Sequence, residues 1–333
     1  MTSAPPVTWV VGSRGLLGSA VCRELLVRGR TPQRELIRWD DAAEARLDLR
    51  AGIVRMLAAA GDGDWNVAWC AGAAVIGSTT ASLAHDLAVV DGFFSDLTEL
   101  ATAAGPSTLR RGAVFFASSA GGVYAGSSTP PYNERTVPVT LSPYGAAKLD
   151  QEGVVDAFSG RTGVPVLIGR ISNLYGPGQN LAKPQGLVSH VCRAYWSGQP
   201  VSVYVPMDTL RDYLFVDDAA AMIVAGLDGI RDRTATPAGP SRVVVKVMAS
   251  QQATSIAALV GEFRRVLKRS TRVVFRASAR TSAQARDLRL RSVEWPELDR
   301  FVRTPMPVGI RRTVDAVGKE LLAPTMVVPE RDD

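Results

Sequence analysis

The sequence predicts an α/β protein built on a doubly wound parallel sheet, with a smaller α/β region towards the C-terminus. Apolar runs typical of buried strands alternate with helical patterns along the chain, which indicates a parallel sheet. The first run, Val7–Val11, leads directly into a glycine-rich turn and a helical pattern. We therefore expect a Rossmann dinucleotide-binding domain over residues 1–170, including the helix of Tyr144, and a mainly substrate-binding region over 171–323. Some segments of the second region are expected to return to the first, and residues 324–333 to form a loose tail.

The remaining elements follow from the same patterns. Predicted strands cover residues 35–39, 65–71, 114–117, 165–168, 201–205, 243–247 and 272–275. Predicted helices cover residues 20–27, 83–104, 187–196, 254–267 and 308–321. One further helix is predicted to contain Tyr144, and another to end near residue 227. Ligands bind beyond the carboxyl ends of parallel strands, so polar residues at those ends are candidate site residues.

Composition narrows the class of protein. The chain has 333 residues, of which 46% are hydrophobic and 21% charged, as in an ordinary globular protein. The net charge of +6 comes largely from late basic residues and suits an anionic substrate such as a diphosphate, or nucleic acid. Most of these residues are expected to form a solvated basic face. No nucleic-acid-binding motif is present, so no nucleic-acid partner is expected. Cys22, Cys70 and Cys192 have no paired spacing, which argues against a disulfide framework and a metal site. Without a signal peptide or a long apolar run, we expect a cytoplasmic protein and no membrane partner.

The glycine-rich turn is a candidate dinucleotide site. Its sequence is Gly12-Ser-Arg-Gly15-Leu-Leu-Gly18, between a strand and a helix. Glycines let the backbone turn tightly and approach a pyrophosphate, which the N-terminus of a helix attracts. The predicted cofactor contacts here are Gly12, Arg14, Gly15, Leu16, Leu17 and Gly18.

The end of the second predicted strand bears on the choice between NAD and NADP. An acid at this position binds the ribose 2′-hydroxyl of NAD, whereas an arginine accepts the 2′-phosphate of NADP. The chain offers both, with Asp40 on one side and Arg38 and Arg14 on the other. Two cations against one acid favour NADP slightly. Asp48 and Leu49 are expected beside the adenine ring.

A possible proton-transfer pair follows later in the chain. Tyr144 and Lys148 are four residues apart, so on a helix both side chains project from one face. A phenol is a poor base at neutral pH, but a neighbouring ammonium lowers its pKa. Such a pair can take a proton from an alcohol or return one to a ketone. Ser118 and Ser119 stand at the end of the strand before this helix.

Together these motifs resemble the extended short-chain dehydrogenase/reductase family of nucleotide-sugar epimerases, dehydratases and ketoreductases. The motifs occur in family order over residues 7–321: Gly12-x-x-Gly15-x-x-Gly18, Ser118-Ser119, Tyr144-x-x-x-Lys148, Asn173-Leu-Tyr-Gly-Pro177 and Arg211-Asp-Tyr-Leu-Phe-Val-Asp-Asp218. The resemblance implies that Tyr144 is the general acid/base and that Lys148 lowers its pKa and holds the nicotinamide ribose.

The same resemblance assigns the substrate contacts. Ser119, with Ser118 as the alternative, would hydrogen-bond the sugar oxygen, and Asn173 would hold the substrate. Arg211, and with less support Arg280, would bind the diphosphate, since an arginine fork suits phosphate oxygens. A homodimer is implied by the resemblance alone.

Departures from the family pattern limit the reaction. The 4,6-dehydratases carry an Asp-Glu pair directly after the catalytic Ser or Thr, where this chain has Ala120-Gly121. The GDP-fucose synthases have a cysteine there, although the glycine loop and Ser189-His190-Val191 are similar to that subfamily. His190 is therefore either a sugar contact or a structural helix residue. The stretch that begins at Ser118 is closer to C4 epimerases.

The sequence thus predicts an NAD(P)-dependent enzyme that acts by hydride transfer at a carbon, C4 by expectation, of a nucleoside-diphosphate sugar. Epimerase and ketoreductase remain open, and dehydration is not expected. The alternatives are a reductase of a non-nucleotide carbonyl compound and a non-catalytic dinucleotide sensor.

Overall fold

A computed structural model describes residues 4–72, 74, 77–181, 186–235, 242–268, 272–276 and 285–322. The strands are β1 (Val7–Val11), β2 (Trp65–Trp69), β3 (Gly112–Ser119), β4 (Val166–Ile171), β5 (Asn173–Tyr175), β6 (Val201–Val203), β7 (Leu210–Phe215), β8 (Val243–Met248), β9 (Ala253–Ser255), β10 (Val273–Phe275) and β11 (Asp287–Leu288). The helices are α1 (Leu16–Val27), α2 (Ala42–Ala60), α3 (Thr80–Ala103), α4 (Ala120–Val123), α5 (Pro143–Thr162), α6 (Leu187–Ser197), α7 (Val216–Arg233), α8 (Ile256–Leu267) and α9 (Met306–Leu322).

The main sheet has five parallel strands in the order β1-β2-β3-β4-β8. Successive residues of a strand point to opposite faces, and each face is buried under helices. Val10 joins a core with helices α1 and α7, whereas Trp9 and Val11 join a second core with α2, α3 and α5. Helices on both faces of a parallel sheet confirm the predicted doubly wound fold.

The predicted strand at residues 35–39 is wrong. Residues 35–39 form no strand, and an isolated bridge between Gln33 and Trp9 precedes them. One physical reason is that the backbone amide of Arg38 donates to the Asp48 side chain, at 3.0 Å, instead of to a sheet partner. Helix α2, which sequence analysis missed, begins directly afterwards, with Asp41 as its cap, accepting from the amides of Ala43 and Glu44.

The C-terminal half contributes to both parts of the molecule. Strand β8 pairs with β4 at the edge of the main sheet, and α7 packs on α1. The remaining elements form a smaller unit in which β5, β7, β9 and β11 make one sheet and β6 and β10 another. Helices α6, α8 and α9 cover its apolar core. Within the described ranges, no helix is both long enough and apolar enough to cross a bilayer.

Candidate active site

The glycine loop is packed so tightly that side chains are excluded at two positions. Gly12 has φ of +81°, and a Cβ there would lie 2.7 Å from the amide nitrogen of Ala71. A Cβ at Gly18 would lie 2.2 Å from the Gly12 carbonyl oxygen. Helix α1 begins at Leu16 without a side-chain cap, so its first amides are open to a ligand. This bare cradle at a helix N-terminus fits the pyrophosphate of a dinucleotide.

Other predicted contacts of the loop differ in exposure. Arg14 and Gly15 are exposed, and Leu16 is partly buried. Leu17 is 7% exposed and its side chain belongs to the core under the sheet. Its side chain therefore anchors α1, and a contact of Leu17 with a cofactor, which stays a prediction, would use its backbone amide.

The basic side chain expected to favour NADP is already engaged. The guanidinium of Arg38 donates from Nε and Nη2 to the two oxygens of Asp48, at 2.9 and 2.6 Å, and also pairs with Glu44. These hydrogen bonds lower the pKa of Asp48 to about 2. Asp40 is exposed. Of the two arginines expected to favour NADP, Arg38 is therefore already neutralised.

The two residues predicted beside the adenine ring belong to a helix. Asp48 and Leu49 lie inside helix α2, where backbone amides serve the helix itself. The Asp48 carboxylate is held by Arg38, and the Leu49 side chain is 2% exposed in the core. Their contact with adenine stays a prediction.

The two serines that end β3 have different partners. The Ser118 hydroxyl is buried and donates to Glu152 Oε1 at 2.5 Å. The Ser119 hydroxyl accepts from the Gly122 amide at 3.1 Å, which caps helix α4, and it acts on the pKa of Tyr144. Ser119 is thus the serine that interacts with the tyrosine, and its role at the sugar oxygen stays a prediction.

Tyr144 packs closely against α4. A Cβ at Gly122 would lie 3.0 Å from Cε1 of the tyrosine ring, so the glycine makes room for it. Burial raises the pKa of Tyr144; the Ser119 hydrogen bond opposes this shift, and the negative charge of Asp86 adds to it. The phenol is consequently held in its protonated form.

Lys148 reaches from the tyrosine helix to the end of β3. Its Nζ donates to Gln151 Oε1 at 3.0 Å and to the carbonyl of Ala117, on β3, at 3.4 Å. A Cβ at Gly72 would lie 3.6 Å from this Nζ, and Gly72 follows the residue that Gly12 contacts. The ammonium therefore lies at the carboxyl edge of the sheet, next to the cradle for the pyrophosphate.

Burial lowers the pKa of Lys148 to about 8, although the charges of Asp86 and Glu152 oppose the shift. This differs from the sequence-based expectation, in which Lys148 lowers the pKa of Tyr144. The pKa of Tyr144 is raised, and Ser119 and Asp86 are the side chains that act on it. Sequence analysis missed Asp86 because it lies on α3; the helical spacing from Lys148 to Glu152 could have indicated the second acid.

The substrate candidates occupy neighbouring strands. Asn173 opens β5, which pairs with β7, and its Nδ2 donates to the Asp212 carbonyl at 2.9 Å. Arg211 of β7 is paired with Leu288 of β11. A Cβ at Gly121, two residues after Ser119, would lie 3.8 Å from Leu288 Cδ1. The strand of Arg211 is thus linked by this contact to the end of β3 that carries Ser119.

Arg211 is a buried cation with few partners. It is 8% exposed, and its Nη1 donates to the Leu210 carbonyl at 2.8 Å. Burial lowers its pKa, partly offset by Tyr213 and Asp287. Across the described ranges, no carboxylate lies within ion-pairing distance of its guanidinium. His190 is half-buried in α6, and Arg280 lies outside the described residues.

Comparison with known proteins identifies the family. The model of the NAD dependent epimerase/dehydratase family matches residues 8–235. The chain belongs to this family. It is an extended short-chain dehydrogenase/reductase, as the motifs indicate. The part matched includes the glycine loop, both serines, the tyrosine–lysine pair and Arg211.

Curated members of the NAD dependent epimerase/dehydratase family match over shorter stretches. The dTDP-L-rhamnose 4-epimerase of Burkholderia thailandensis is 39% identical over 99 residues, which cover 29% of this chain and 27% of that protein. The dTDP-glucose 4,6-dehydratase of Salmonella typhimurium is 33% identical over 91 residues, covering 27% and 24%. The chain thus matches only about a quarter of the length of these relatives.

Solved structures of epimerase/dehydratase proteins share the fold along nearly the whole chain. MoeE5 in complex with UDP-glucose and NAD has a TM-score of 0.75 at 20% identity, covering 95% of this chain and 99% of that one. The UDP-glucose 4-epimerase of Thermotoga maritima, solved with UDP-glucose, has a TM-score of 0.74 at 19% identity, covering 94% and 99%. At these identities the similarity establishes the fold alone.

Proposed function

We propose that the chain is an NAD-dependent enzyme that oxidises and reduces a sugar carbon, C4, of a nucleoside-diphosphate sugar, with 4-epimerisation as the overall reaction. The observation that carries this proposal is the position of Ser119, Tyr144 and Lys148 together at the sheet edge, beside a cradle bounded by Gly12 and Gly18. Bound NAD would supply the hydride acceptor and donor.

Ser119, Tyr144 and Lys148 would have different roles in the reaction. Tyr144 donates its proton to a keto oxygen, or accepts one from the hydroxyl in the reverse direction. Ser119 would hydrogen-bond the same oxygen, since its hydroxyl acts on the pKa of the tyrosine. The Lys148 ammonium would bind the ribose hydroxyls of the cofactor.

NAD is proposed over NADP because of the charges around Arg38 and Asp40. Arg38 is neutralised by Asp48 and Glu44, whereas Asp40 is exposed and can accept from ribose hydroxyls. MoeE5 and the UDP-glucose 4-epimerase of Thermus thermophilus were solved with NAD. A cofactor that stays bound and is recycled suits an epimerase. A ketoreductase that draws its reductant from solution is the second candidate.

A nucleotide sugar is proposed as the substrate because of Arg211. A buried guanidinium without a carboxylate partner is unfavourable until an anion reaches it, and a diphosphate supplies oxygens for its fork. A reductase of a non-nucleotide carbonyl compound would have no use for this cation. Dehydration is not proposed, because Ala120 and Gly121 provide no acid/base pair after Ser119. The homodimer, the cytoplasmic location and the domain boundary at residue 170 stay predictions.

Two measurements test the proposal, one on the bound cofactor and one on the substrate. Nucleotide released from the purified protein by heat is identified by mass; NAD(H) is expected, and an empty protein that prefers NADPH would instead indicate a ketoreductase. UDP- and dTDP-hexoses are then screened for interconversion at C4. Arg211→Met is expected to raise KM for the sugar nucleotide by about 100-fold, the loss of a charge-assisted contact of ~3 kcal/mol. Arg264→Met, an exposed arginine of α8, is the control. Unchanged KM in Arg211→Met would contradict a diphosphate site.

A further inference from the structure

Directly behind the tyrosine–lysine pair lies a chain of buried hydrogen bonds. Glu152 accepts from the Ser118 hydroxyl at 2.5 Å and from Arg170, whose Nη2 lies 2.7 Å from Oε2 and whose Nε lies 3.1 and 3.2 Å from the two oxygens. Arg170 Nη1 in turn donates to the hydroxyl of Tyr124 at 2.7 Å. The side chains of Glu152 and Arg170 are each 9% exposed, so the pair is largely removed from water.

Each member of this chain comes from a different element. Ser118 lies at the end of β3, Glu152 on α5, Arg170 on β4 and Tyr124 just after α4. Glu152 follows Lys148 by one helical turn and Tyr144 by two, so it extends the same face of α5. A single carboxylate therefore joins the helix of the tyrosine–lysine pair to the two strands whose ends border the site.

We propose that Glu152 is a positioning residue, which fixes the register of Tyr144 and Lys148 against Ser119 by tying α5 to β3 and β4. This role rests on the proposed function. Ser118 is the immediate neighbour of Ser119, so a displaced Ser118 moves the hydroxyl that meets Tyr144. A misplacement of about 1 Å can lower the rate of a catalysed step by roughly 100-fold.

Stability alone does not account for the pair. Burial of two charges is expensive, and a buried ion pair can often be replaced by apolar residues without loss of stability. Burial alone would lower the pKa of Arg170, but the hydrogen bonds and charge of Glu152 outweigh it and raise that pKa. The arginine therefore depends on Glu152, which is the arrangement expected when one geometry must be specified.

The carboxylate also contributes to the charge around Lys148. The groups that face the ammonium are Asp86 from α3, Glu152 and Gln151 from α5 and the Ala117 carbonyl from β3, while Arg170 from β4 faces Glu152. Burial lowers the pKa of Lys148 to about 8, against the opposing charges of Asp86 and Glu152. Removal of the Glu152 charge lowers this pKa further, so the ammonium is lost at a lower pH.

The experiment measures NADH affinity from pH 6 to pH 10 for the wild type, Glu152→Gln and Asp96→Asn. Asp96 is the matched control, because it is a buried carboxylate of α3 held by Arg46 and Arg50 of α2. In Glu152→Gln, the pH at which affinity falls is expected to decrease by about 0.5–1 unit, as for a lost neighbouring charge. Asp96→Asn is expected to change thermal stability and leave this pH unchanged.

Two results would overturn the proposal. In one, a folded Glu152→Gln variant loses NADH affinity at the same pH as the wild type; in the other, Asp96→Asn shows the same shift as Glu152→Gln. A wild type that binds no NADH would contradict the proposed function instead, which keeps the two failures distinguishable. If Glu152→Gln does not fold, Ser118→Ala is tested in its place, because it removes only the hydrogen bond from β3 and keeps the ion pair of Glu152 with Arg170. It is expected to lower turnover of the sugar nucleotide at least tenfold with NADH affinity and its pH limb unchanged; wild-type turnover would then contradict the positioning role.

Discussion

Asp48 holds the guanidinium of Arg38 through two hydrogen bonds, Nε to Oδ2 at 2.9 Å and Nη2 to Oδ1 at 2.6 Å. Glu44 pairs with the same guanidinium. Both carboxylates come from α2, one turn apart, so the helix itself presents them to the arginine. The consequence is a cation that is neutralised before a cofactor arrives.

This relationship predicts how cofactor preference can be changed. In the double variant Glu44→Gln/Asp48→Asn, Arg38 is released and can donate to a 2′-phosphate, so NADPH affinity is expected to rise about fivefold relative to NADH. Titration of intrinsic fluorescence with each nucleotide measures the ratio. Glu24→Gln, which breaks the surface pair with Arg28, is the control. An unchanged ratio would mean that Arg38 does not face the ribose.

The role of Tyr144 predicts a loss of turnover without a loss of binding. Tyr144→Phe keeps the ring that packs on Gly122 but removes the proton donor. Turnover is expected to fall by roughly 100-fold or more, the usual contribution of a general acid/base, while NADH affinity stays near that of the wild type. Tyr132→Phe, which removes a phenol that donates to the Ser127 carbonyl, is the control. Near-normal turnover in Tyr144→Phe would remove the tyrosine from the mechanism.

Local pattern was sufficient for most of the fold and for the tyrosine–lysine pair. The strand at Val7–Val11, its glycine turn and the spacing from Tyr144 to Lys148 are all encoded within a few residues. Three features were not, because partners distant in sequence decide them. The amide of Arg38 donates to a side chain of α2 instead of to a neighbouring strand. Glu152 accepts from one of the two serines, and Asp86 contributes to the raised pKa of Tyr144.

The depressed pKa of Lys148 predicts a trade between stability and function. Its folded-state pKa of about 8 lies below the ordinary value of 10.5, so the unfolded chain binds more protons between these values and stability rises with pH across that window. Below pH 8 the full penalty is present. Lys148→Met is therefore expected to stabilise the cofactor-free protein at pH 7 by ~2 kcal/mol, after allowance for two lost hydrogen bonds, while it lowers NADH affinity.

Denaturant unfolding at pH 7 and pH 10 measures this effect, and the gain should shrink at the higher pH. Lys246→Met is the matched control. Lys246 is also fully buried, but its Nζ donates to Ser292, Glu294 and Asp299 at 2.6–2.8 Å. Its loss leaves Asp299 unpaired, so that variant is expected to be destabilised at both pH values. A destabilised Lys148→Met at pH 7 would show that the ammonium is better solvated than its burial indicates.

The glycine loop provides a prediction in which neighbouring glycines act as each other's control. A Cβ at Gly18 would lie 2.2 Å from the Gly12 carbonyl oxygen, whereas one at Gly15 would lie 3.4 Å from the same atom. Gly15 also has φ of −75°, which any residue adopts. Gly18→Ala is therefore expected to destabilise the cofactor-free protein by roughly 1–3 kcal/mol through overpacking and to weaken NADH binding by opening the cradle. Gly15→Ala should leave the thermal unfolding temperature near that of the wild type. Equal unfolding temperatures for both variants would mean that α1 can move away from the loop, so that the close approach of Gly18 to Gly12 is not required for the fold.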